Sequence, residues 1–198
     1  MLFAECTWME SLKGLRFWNT ILPNKDLQRT ALTRRRLAQR QVLEARKRKQ
    51  QCMPLPPFNS AGELPEGVHP AILDEVLAQF GGSTPQRQAV TARLRRIYQL
   101  ASATGKLTRL VIFGSYVTTK PNPNDVDVIL VMANDFRLHT CDAETRLLFD
   151  HREAEKEFGA SIFWIRPSLL ILETLETFIA YWQITRNGTR RGIVEVRL

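Results

Sequence analysis

The sequence has no apolar run approaching the roughly 18–20 residues that a bilayer-spanning helix needs. Its N-terminus also lacks the basic segment and apolar core of a secretory signal. Cysteine is scarce, and Cys6, Cys52 and Cys141 are far apart and in no metal-binding spacing. These absences argue against a membrane protein, a disulfide scaffold and a zinc-finger pattern. They predict a protein of the reducing cytoplasm with no membrane contact.

Acidic residues are scarce in the first quarter of the chain. Residues 1–52 hold 12 lysines and arginines against 4 aspartates and glutamates, whereas residues 53–198 hold 16 of each. The net charge of +8 therefore comes entirely from the N-terminal segment. This asymmetry predicts a basic extension attached to a neutral domain.

The basic extension contains a stretch, residues 26–51, that has no glycine or proline and is dominated by strong helix formers. We predict one basic helix here, and three interpretations are open. The helix binds tRNA or another nucleic acid through its arginines. Alternatively, residues 1–52 arise from a start site placed upstream of a true start at Met53. The third interpretation is an ordinary solvated or partner-binding helix.

Residues 53–198 predict an α/β (α+β) fold with a small mixed β-sheet flanked by helices. Residues 53–68, with four prolines and two glycines, are interpreted as a proline-rich segment leading into a domain at 69–198. Pro70 is predicted to open the first helix. Apolar periodicity and turn residues predict helices at 71–80, 84–103, 143–158 and 168–182, and strands at 110–113, 126–132, 160–165 and 193–197.

The most informative stretch joins the first two predicted strands. An apolar run ends at Gly114-Ser115, and a nine-residue spacer leads to Asp125 and Asp127, which start the next apolar run. Residues i and i+2 of a strand point to the same face, so the two carboxylates are expected to lie side by side. Such a pair suits Mg²⁺, with Mn²⁺ as a substitute, because Mg²⁺ takes one or two carboxylates together with water and substrate phosphates. The Gly-Ser turn offers a backbone that a phosphate can approach closely.

This motif resembles the signature of the DNA polymerase beta-like nucleotidyltransferase superfamily. That signature is a hydrophobic strand, Gly-Ser or Gly-Gly, a short spacer, and then Asp-hydrophobic-Asp or Asp-hydrophobic-Glu. More narrowly, residues 53–198 resemble a small bacterial group of uncharacterised, nucleotidyltransferase-like proteins. The shared features are this motif and the segments 56–58, 64–69 and 191–194.

The resemblance implies transfer of a nucleotidyl group from a nucleoside triphosphate to a hydroxyl of RNA, protein or a small molecule. It gives Asp125 and Asp127 the roles of metal ligands and catalytic residues. Gly114 and Ser115 would bind the nucleotide phosphates, with Ser115 also in the catalytic set. Lys120 is either a nucleotide contact or a solvated loop lysine. Minimal superfamily members act as toxins that modify tRNA or as antitoxins that modify a toxin, so a toxin or antitoxin partner is also expected.

Two further features bear on this expectation. Polymerase-like members of the superfamily carry a third acid on a neighbouring strand, but the predicted strand 160–165 has none, and Ser161 occupies a position where the acid is expected. Two hypotheses follow: a minimal two-carboxylate transferase, or a catalytically degenerate protein that binds nucleotide or nucleic acid with the help of its basic arm. Additional candidate phosphate contacts are Arg137, Arg166, Arg190 and Arg191.

Overall fold

Five strands form one open mixed sheet in the part of the chain that the computed structural model describes, residues 55–82 and 84–198. The strands are β1 (Val68–Ala71), β2 (Leu107–Phe113), β3 (Asp127–Met132), β4 (Ser161–Ile165) and β5 (Ile193–Val196). Their order in the sheet is β1-β5-β2-β3-β4. The β1–β5 and β3–β4 pairs are parallel, whereas β2 is antiparallel to both β3 and β5. The predicted α/β (α+β) class with a mixed sheet is confirmed.

Five α-helices accompany the sheet within these residues. They are α1 (Leu73–Phe80), α2 (Pro85–Ala103), α3 (Ala143–Leu147), α4 (His151–Phe158) and α5 (Leu175–Tyr181). None of the described helices is long and apolar enough to cross a membrane. The basic helix predicted at 26–51 lies outside the described residues, as does the rest of 1–52.

Helix α2 begins where its sequence predicts. The Thr84 side chain accepts a hydrogen bond from the Arg87 backbone N–H at 3.1 Å, and proline occupies the first helical position, where no N–H is needed. The apolar stripe of the helix, which includes Val90, Leu94 and Ile97, is fully buried. The helix therefore packs onto the sheet along the face that its periodicity predicts.

The side chains of the central strands alternate between two apolar cores. On one face, Leu110 and Ile112 of β2 join the larger core, which contains the α2 stripe. On the other face, Val111 of β2 and Ile129 of β3 join a smaller core with Ile179 of α5. The sheet is thus covered on both faces, and its period-2 alternation sorts the residues between them.

Three predicted elements differ from the structure. Pro70 lies in β1, not at the start of a helix, and an edge strand tolerates proline because one side of its backbone forms no ladder bonds. The helix predicted at 143–158 is interrupted, because Asp150 caps a new helix by accepting hydrogen bonds from the N–H groups of Arg152 and Glu153. The helix predicted at 168–182 begins only after Thr174, which caps it.

Residues 55–67, from the segment predicted to lead into the domain, pack against it. Leu64 is 1% exposed and belongs to the larger core, which Leu55 and Phe58 also contact. Backbone contacts divide the chain into two compact units, and the boundary lies between Gln51 and Cys52. Residues 55–67 therefore belong to the same unit as the sheet.

Candidate active site at the end of the sheet

A cleft of about 760 Å³ opens at the end of the sheet where β2 ends and β3 and β4 begin. It is lined by every residue of the site predicted from the sequence: Gly114, Ser115, Lys120, Asp125 and Asp127. The antiparallel register of β2 and β3 pairs Phe113 with Asp127, which brings the two halves of the motif together. Of the additional candidate arginines, only Arg191 lines this cleft.

Gly114 and Asp127 are in direct contact, and both line the cleft. Gly114 has a φ of +78°, a conformation that L side chains rarely adopt. A β-carbon built on Gly114 would overlap the Asp127 carboxylate. The carboxylate of Asp127 fills the space beside the Gly114 α-carbon, and the binding of phosphate by the N–H groups of the Gly-Ser turn stays a prediction. Glycine is therefore needed here to seat Asp127.

Asp125 and Asp127 lie on the same side of their segment, as the i, i+2 spacing predicts. Val126 between them is fully buried, while both carboxylates line the cleft. Asp125 precedes the strand, which begins at Asp127. Burial, and then the nearby negative charge of Asp125, raise the pKa of Asp127 to about 6. Ser161, Arg191 and Arg186 act in the opposite direction on this pKa.

Ser161 of β4 is the register partner of Asp127 and lines the same cleft. Its hydroxyl donates a hydrogen bond to Oδ2 of Asp125 at 3.4 Å and also opposes the rise in the pKa of Asp127. A serine thus interacts with both aspartates at the position where polymerase-like proteins are expected to carry a third acid. It offers a neutral hydroxyl in place of a carboxylate.

The donor set at this position fits a hard divalent cation. The ionised form of Asp127, which burial and the neighbouring Asp125 carboxylate disfavour, is stabilised by positive charge, and oxygen donors are what Mg²⁺ and Mn²⁺ prefer. Among the described residues, no group of three or more His, Cys, Asp and Glu side chains is arranged to hold a metal ion. A cation held by Asp125 and Asp127 would therefore take its remaining ligands from water and from bound phosphates.

A second wall of the cleft is formed by a hairpin at residues 183–191, which leads into β5. The Thr185 N–H donates to the Thr189 carbonyl at 2.8 Å, and the Arg191 N–H donates to the Gln183 carbonyl at 3.0 Å. Arg186 and Arg191 of this hairpin line the cleft. The Arg191 guanidinium lies 3.6 Å from a carboxylate oxygen of Glu63, whereas Arg186 has no ion-pair partner among the described residues.

Two of the segments that carry the sequence resemblance, 64–69 and 191–194, meet beside this wall. They include the parallel pair β1–β5, in which Val68 lies opposite Ile193. Gly192 donates its N–H to the Leu64 carbonyl at 3.0 Å, and a β-carbon at Gly192 would overlap the Pro65 carbonyl. This close packing fixes the position of the hairpin beside the acid pair.

Residues 56–197 match a model of the Family of unknown function (DUF6932). The chain belongs to this family. The match covers all the residues that line the cleft, from Glu63 to Arg191, but the family has no assigned activity. The chain matches no curated protein and no solved structure. The chemistry of this DUF6932 cleft therefore has to be argued from its residues.

The DUF6932 loop between β2 and β3 is held in place by Arg87 of α2, which sequence reasoning missed. Arg87 is 4% exposed, and burial lowers the pKa of its guanidinium. The guanidinium donates hydrogen bonds to the backbone carbonyls of Phe80, Tyr116, Thr118 and Lys120. The loop that presents Lys120 to the cleft is thereby fixed by one side chain.

A signal for Arg87 was present in the sequence. Arg87 lies three residues before Val90 and seven before Leu94, so it continues the buried stripe of α2. A charged residue on an otherwise apolar stripe indicates a buried charge with specific hydrogen-bond partners. Other lining residues of the DUF6932 cleft, Glu63, Asn124, Tyr181 and Arg186, carry no comparable local signal.

The remaining candidate arginines form hydrogen bonds to backbone carbonyls or an ion pair with a surface acid. Arg190 pairs with Glu66 at 2.8 Å, and Arg137 donates to the carbonyls of Asn134 and Phe136. Arg166 donates to the Phe136 carbonyl at 3.5 Å. These arginines do not line the DUF6932 cleft, and the cations that line it among residues 55–82 and 84–198 are Lys120, Arg186 and Arg191.

Proposed function

We propose that this DUF6932 member is a nucleotidyltransferase of the polymerase beta-like superfamily that acts in the bacterial cytoplasm. It transfers a nucleotidyl group from a nucleoside triphosphate to the hydroxyl of an RNA, a protein or a small molecule. The observation that supports the proposal is the seating of Asp127 against Gly114. This contact puts a paired carboxylate and a Gly-Ser turn into one cleft.

Different residues of the cleft bind the metal ion and the phosphates of the nucleotide. Asp125 and Asp127 hold Mg²⁺ or Mn²⁺, which when bound supplies the positive charge that offsets and aligns the triphosphate. The Ser115 hydroxyl and the backbone of the Gly-Ser turn donate hydrogen bonds to phosphate oxygens. Lys120 and Arg186 have no carboxylate partner among the described residues, so their charges are available to the phosphates.

The proposed reaction forms one bond and breaks one. The oxygen of the acceptor hydroxyl bonds to the α-phosphorus, and the bond from that phosphorus to the bridging β-phosphate oxygen breaks. Pyrophosphate leaves with the bonding electron pair, and the hydroxyl proton passes to water. The chain contributes alignment of the two reactants and electrostatic stabilisation of the developing charge.

A second candidate function rests on Ser161. Its position beside Asp127, where an acid would complete a polymerase-like site, favours a protein that keeps the nucleotide-binding shell without catalysis. Such a protein would bind nucleotide in the cleft and use residues 26–51 to hold nucleic acid or a partner protein. The two functions differ in whether label from a nucleotide becomes covalently attached to an acceptor.

The deciding experiment measures incorporation of label from each α-labelled nucleoside triphosphate in the presence of Mg²⁺ or Mn²⁺. The acceptors are bulk tRNA and a cell lysate, which cover the proposed toxin–antitoxin setting. We expect covalent label with the wild type and none with Asp125→Asn or Asp127→Asn. Asp74→Asn, which changes an exposed aspartate on α1, is the matched control and should retain activity.

Label that persists in both cleft variants would exclude this site as the catalytic centre. An inactive wild type that still binds nucleotide in a metal-dependent manner would favour the binding protein. An inactive wild type that binds no nucleotide would exclude both functions.

A further inference from the structure

One wall of the cleft is aromatic, although the site predicted from the sequence consists only of glycine and polar residues. Tyr181 is the last residue of α5 and Trp182 follows it, and both line the cleft. The aromatic wall, defined as Tyr181 and Trp182, adjoins the hairpin that carries Arg186.

Trp182 is the fixed part of this wall. Its ring centroid lies 4.7 Å from that of Phe113 and 4.6 Å from that of Phe163, and Phe178 lies 6.1 Å away. Phe113 directly precedes Gly114 and is the register partner of Asp127. The Trp182 end of the aromatic wall is therefore held at a set position relative to the acid pair.

Tyr181 is the free part of the wall. It is 70% exposed, and its side chain makes no ring contact, hydrogen bond or ion pair within the described residues. The neighbouring hairpin residues that line the cleft are polar, including Thr185 and Asn187. An aromatic ring without internal partners at the wall of a polar cleft has a face available to a planar ligand.

We infer that the aromatic wall is a stacking site for a nucleobase, with the exposed ring of Tyr181 as the platform. The inference rests on the proposed function, because it assigns the base of the nucleotide whose phosphates lie at the acid pair. The cleft volume of about 760 Å³ lies within the roughly 300–1,000 Å³ of small-molecule sites. Since every nucleobase has an aromatic face, stacking here is tolerant of base identity.

The test separates the base from the phosphates by using two ligands. Binding of a nucleoside triphosphate and of inorganic tripolyphosphate to the full chain is measured by titration calorimetry with Mg²⁺. For Tyr181→Ala we expect triphosphate binding roughly 5- to 150-fold weaker, the range that loss of one base–aromatic stack produces. Tripolyphosphate, which has no base, should bind this variant as it binds the wild type.

Tyr181→Phe is the matched control, because it keeps the ring and removes only the hydroxyl. Its nucleotide affinity should stay within about twofold of the wild type, since the stacking face is unchanged. Asp125→Asn should weaken both ligands, which identifies the phosphate end of the site. Unchanged melting temperatures of the Tyr181 variants are expected from the exposure of this side chain.

The outcomes distinguish the inference from the proposed function. Wild-type nucleotide affinity in Tyr181→Ala, or an equal loss for both ligands, overturns the stacking site and leaves the proposed function standing. A wild type that binds neither ligand overturns the proposed function and, with it, the inference.

Discussion

Asp127 keeps its proton to higher pH than an exposed aspartate does, because it is buried beside Asp125. Its pKa is raised from 3.8 to about 6 in the folded protein. The folded state therefore binds a proton that the unfolded state has already released between these two values. This contribution to stability is fully present below pH 3.8 and is lost as the pH rises through about 6.

Replacing Asp127 by asparagine should consequently flatten the pH dependence of stability. Between pH 4 and pH 7.5 the free energy of unfolding of the wild type should fall, relative to Asp127→Asn, by at most about 3 kcal/mol. Urea unfolding across this range, with a chelator present, measures the difference. Adding Mg²⁺ at pH 7.5 should stabilise the wild type and leave Asp127→Asn unchanged.

Asp74→Asn serves as the control, because this aspartate is exposed on α1. Its stability should follow the wild-type pH curve. Parallel curves for the wild type and Asp127→Asn would contradict the assigned burial of Asp127.

Gly114→Ala tests the contact with Asp127. Gly105→Ala is the control. Gly105, in the turn before β2, also has a positive φ of +63°, but a β-carbon added there would meet no atom within 4 Å. This variant should therefore lose only the free energy that the unfavourable backbone conformation costs. That cost is roughly 1–2 kcal/mol for either glycine. Gly114→Ala should lose a further amount on the order of 1–3 kcal/mol, because the added methyl group overlaps a carboxylate.

Thermal and urea unfolding of both glycine variants measure these losses, and nucleotide titration measures the consequence for the site. Metal-dependent binding should disappear only in Gly114→Ala. Equal losses of stability in the two variants would show that Asp127 does not depend on this glycine.

Helix α2 supports the cleft through Arg87, so this element has a role beyond packing. Arg87→Met would remove the donor of four backbone carbonyls, and three of these hydrogen bonds, to Phe80, Tyr116 and Thr118, are buried. Each buried group left unsatisfied costs about 1–3 kcal/mol. We expect a loss of at least about 3 kcal/mol in the free energy of unfolding, with a smaller loss for Arg87→Lys, which retains a donor and the charge.

Arg95→Met provides the comparison on the same helix, because Arg95 is exposed. Its effect should stay within about 0.5 kcal/mol. Urea unfolding compares the three variants. Similar effects of Arg87→Met and Arg95→Met would remove Arg87 from its supporting role.

The elements predicted correctly are those whose signals are local. Helix α2 has a cap, a proline at its start and a long apolar stripe, and strands β2 and β3 are continuous apolar runs. Strand β1 was missed because its four residues include Pro70, and it is formed only by pairing with β5 at the far end of the chain. The predicted helix at 168–182 was too long, since Ile171 fits its periodicity but is 89% exposed before α5.

The candidate site divides in the same way. The residues from Gly114 to Asp127 are close in sequence, so their spacing on a strand–turn–strand unit predicts that they share a cleft. Glu63, Tyr181 and Arg186 reach that cleft only through the order of strands in the sheet. No local sequence pattern indicates that these residues reach the cleft, and this is why they were not predicted as part of the site.

At the scale of the whole chain, charge and fold are separated. Residues 53–198 carry no net charge, while residues 1–52 carry all of the +8. The DUF6932 match begins at residue 56, after the basic segment. Nucleic-acid affinity, if it accompanies the proposed function, is therefore expected to come from the basic segment through phosphate contacts and counterion release.

A chain that starts at Met53 should fold by itself and bind nucleic acid more weakly than the full chain. The logarithm of its binding constant should also fall less steeply with the logarithm of salt concentration, by roughly 0.7–0.9 in slope for each phosphate that the shorter chain leaves unneutralised. Fluorescence anisotropy with a labelled tRNA at several salt concentrations measures both effects. A truncated chain that fails to fold, or one that binds with the full salt dependence, would contradict this division.

The contact between Gly114 and Asp127 also has a consequence for how the family diverges. No side chain fits at position 114 while the carboxylate of residue 127 keeps its place, so substitutions at these positions are coupled in one direction. A lineage that loses the acid is released from the need for glycine, whereas one that loses the glycine displaces the acid. We therefore expect related chains without glycine at position 114 to lack the acid at position 127 as well, whereas chains that lack the acid can retain the glycine.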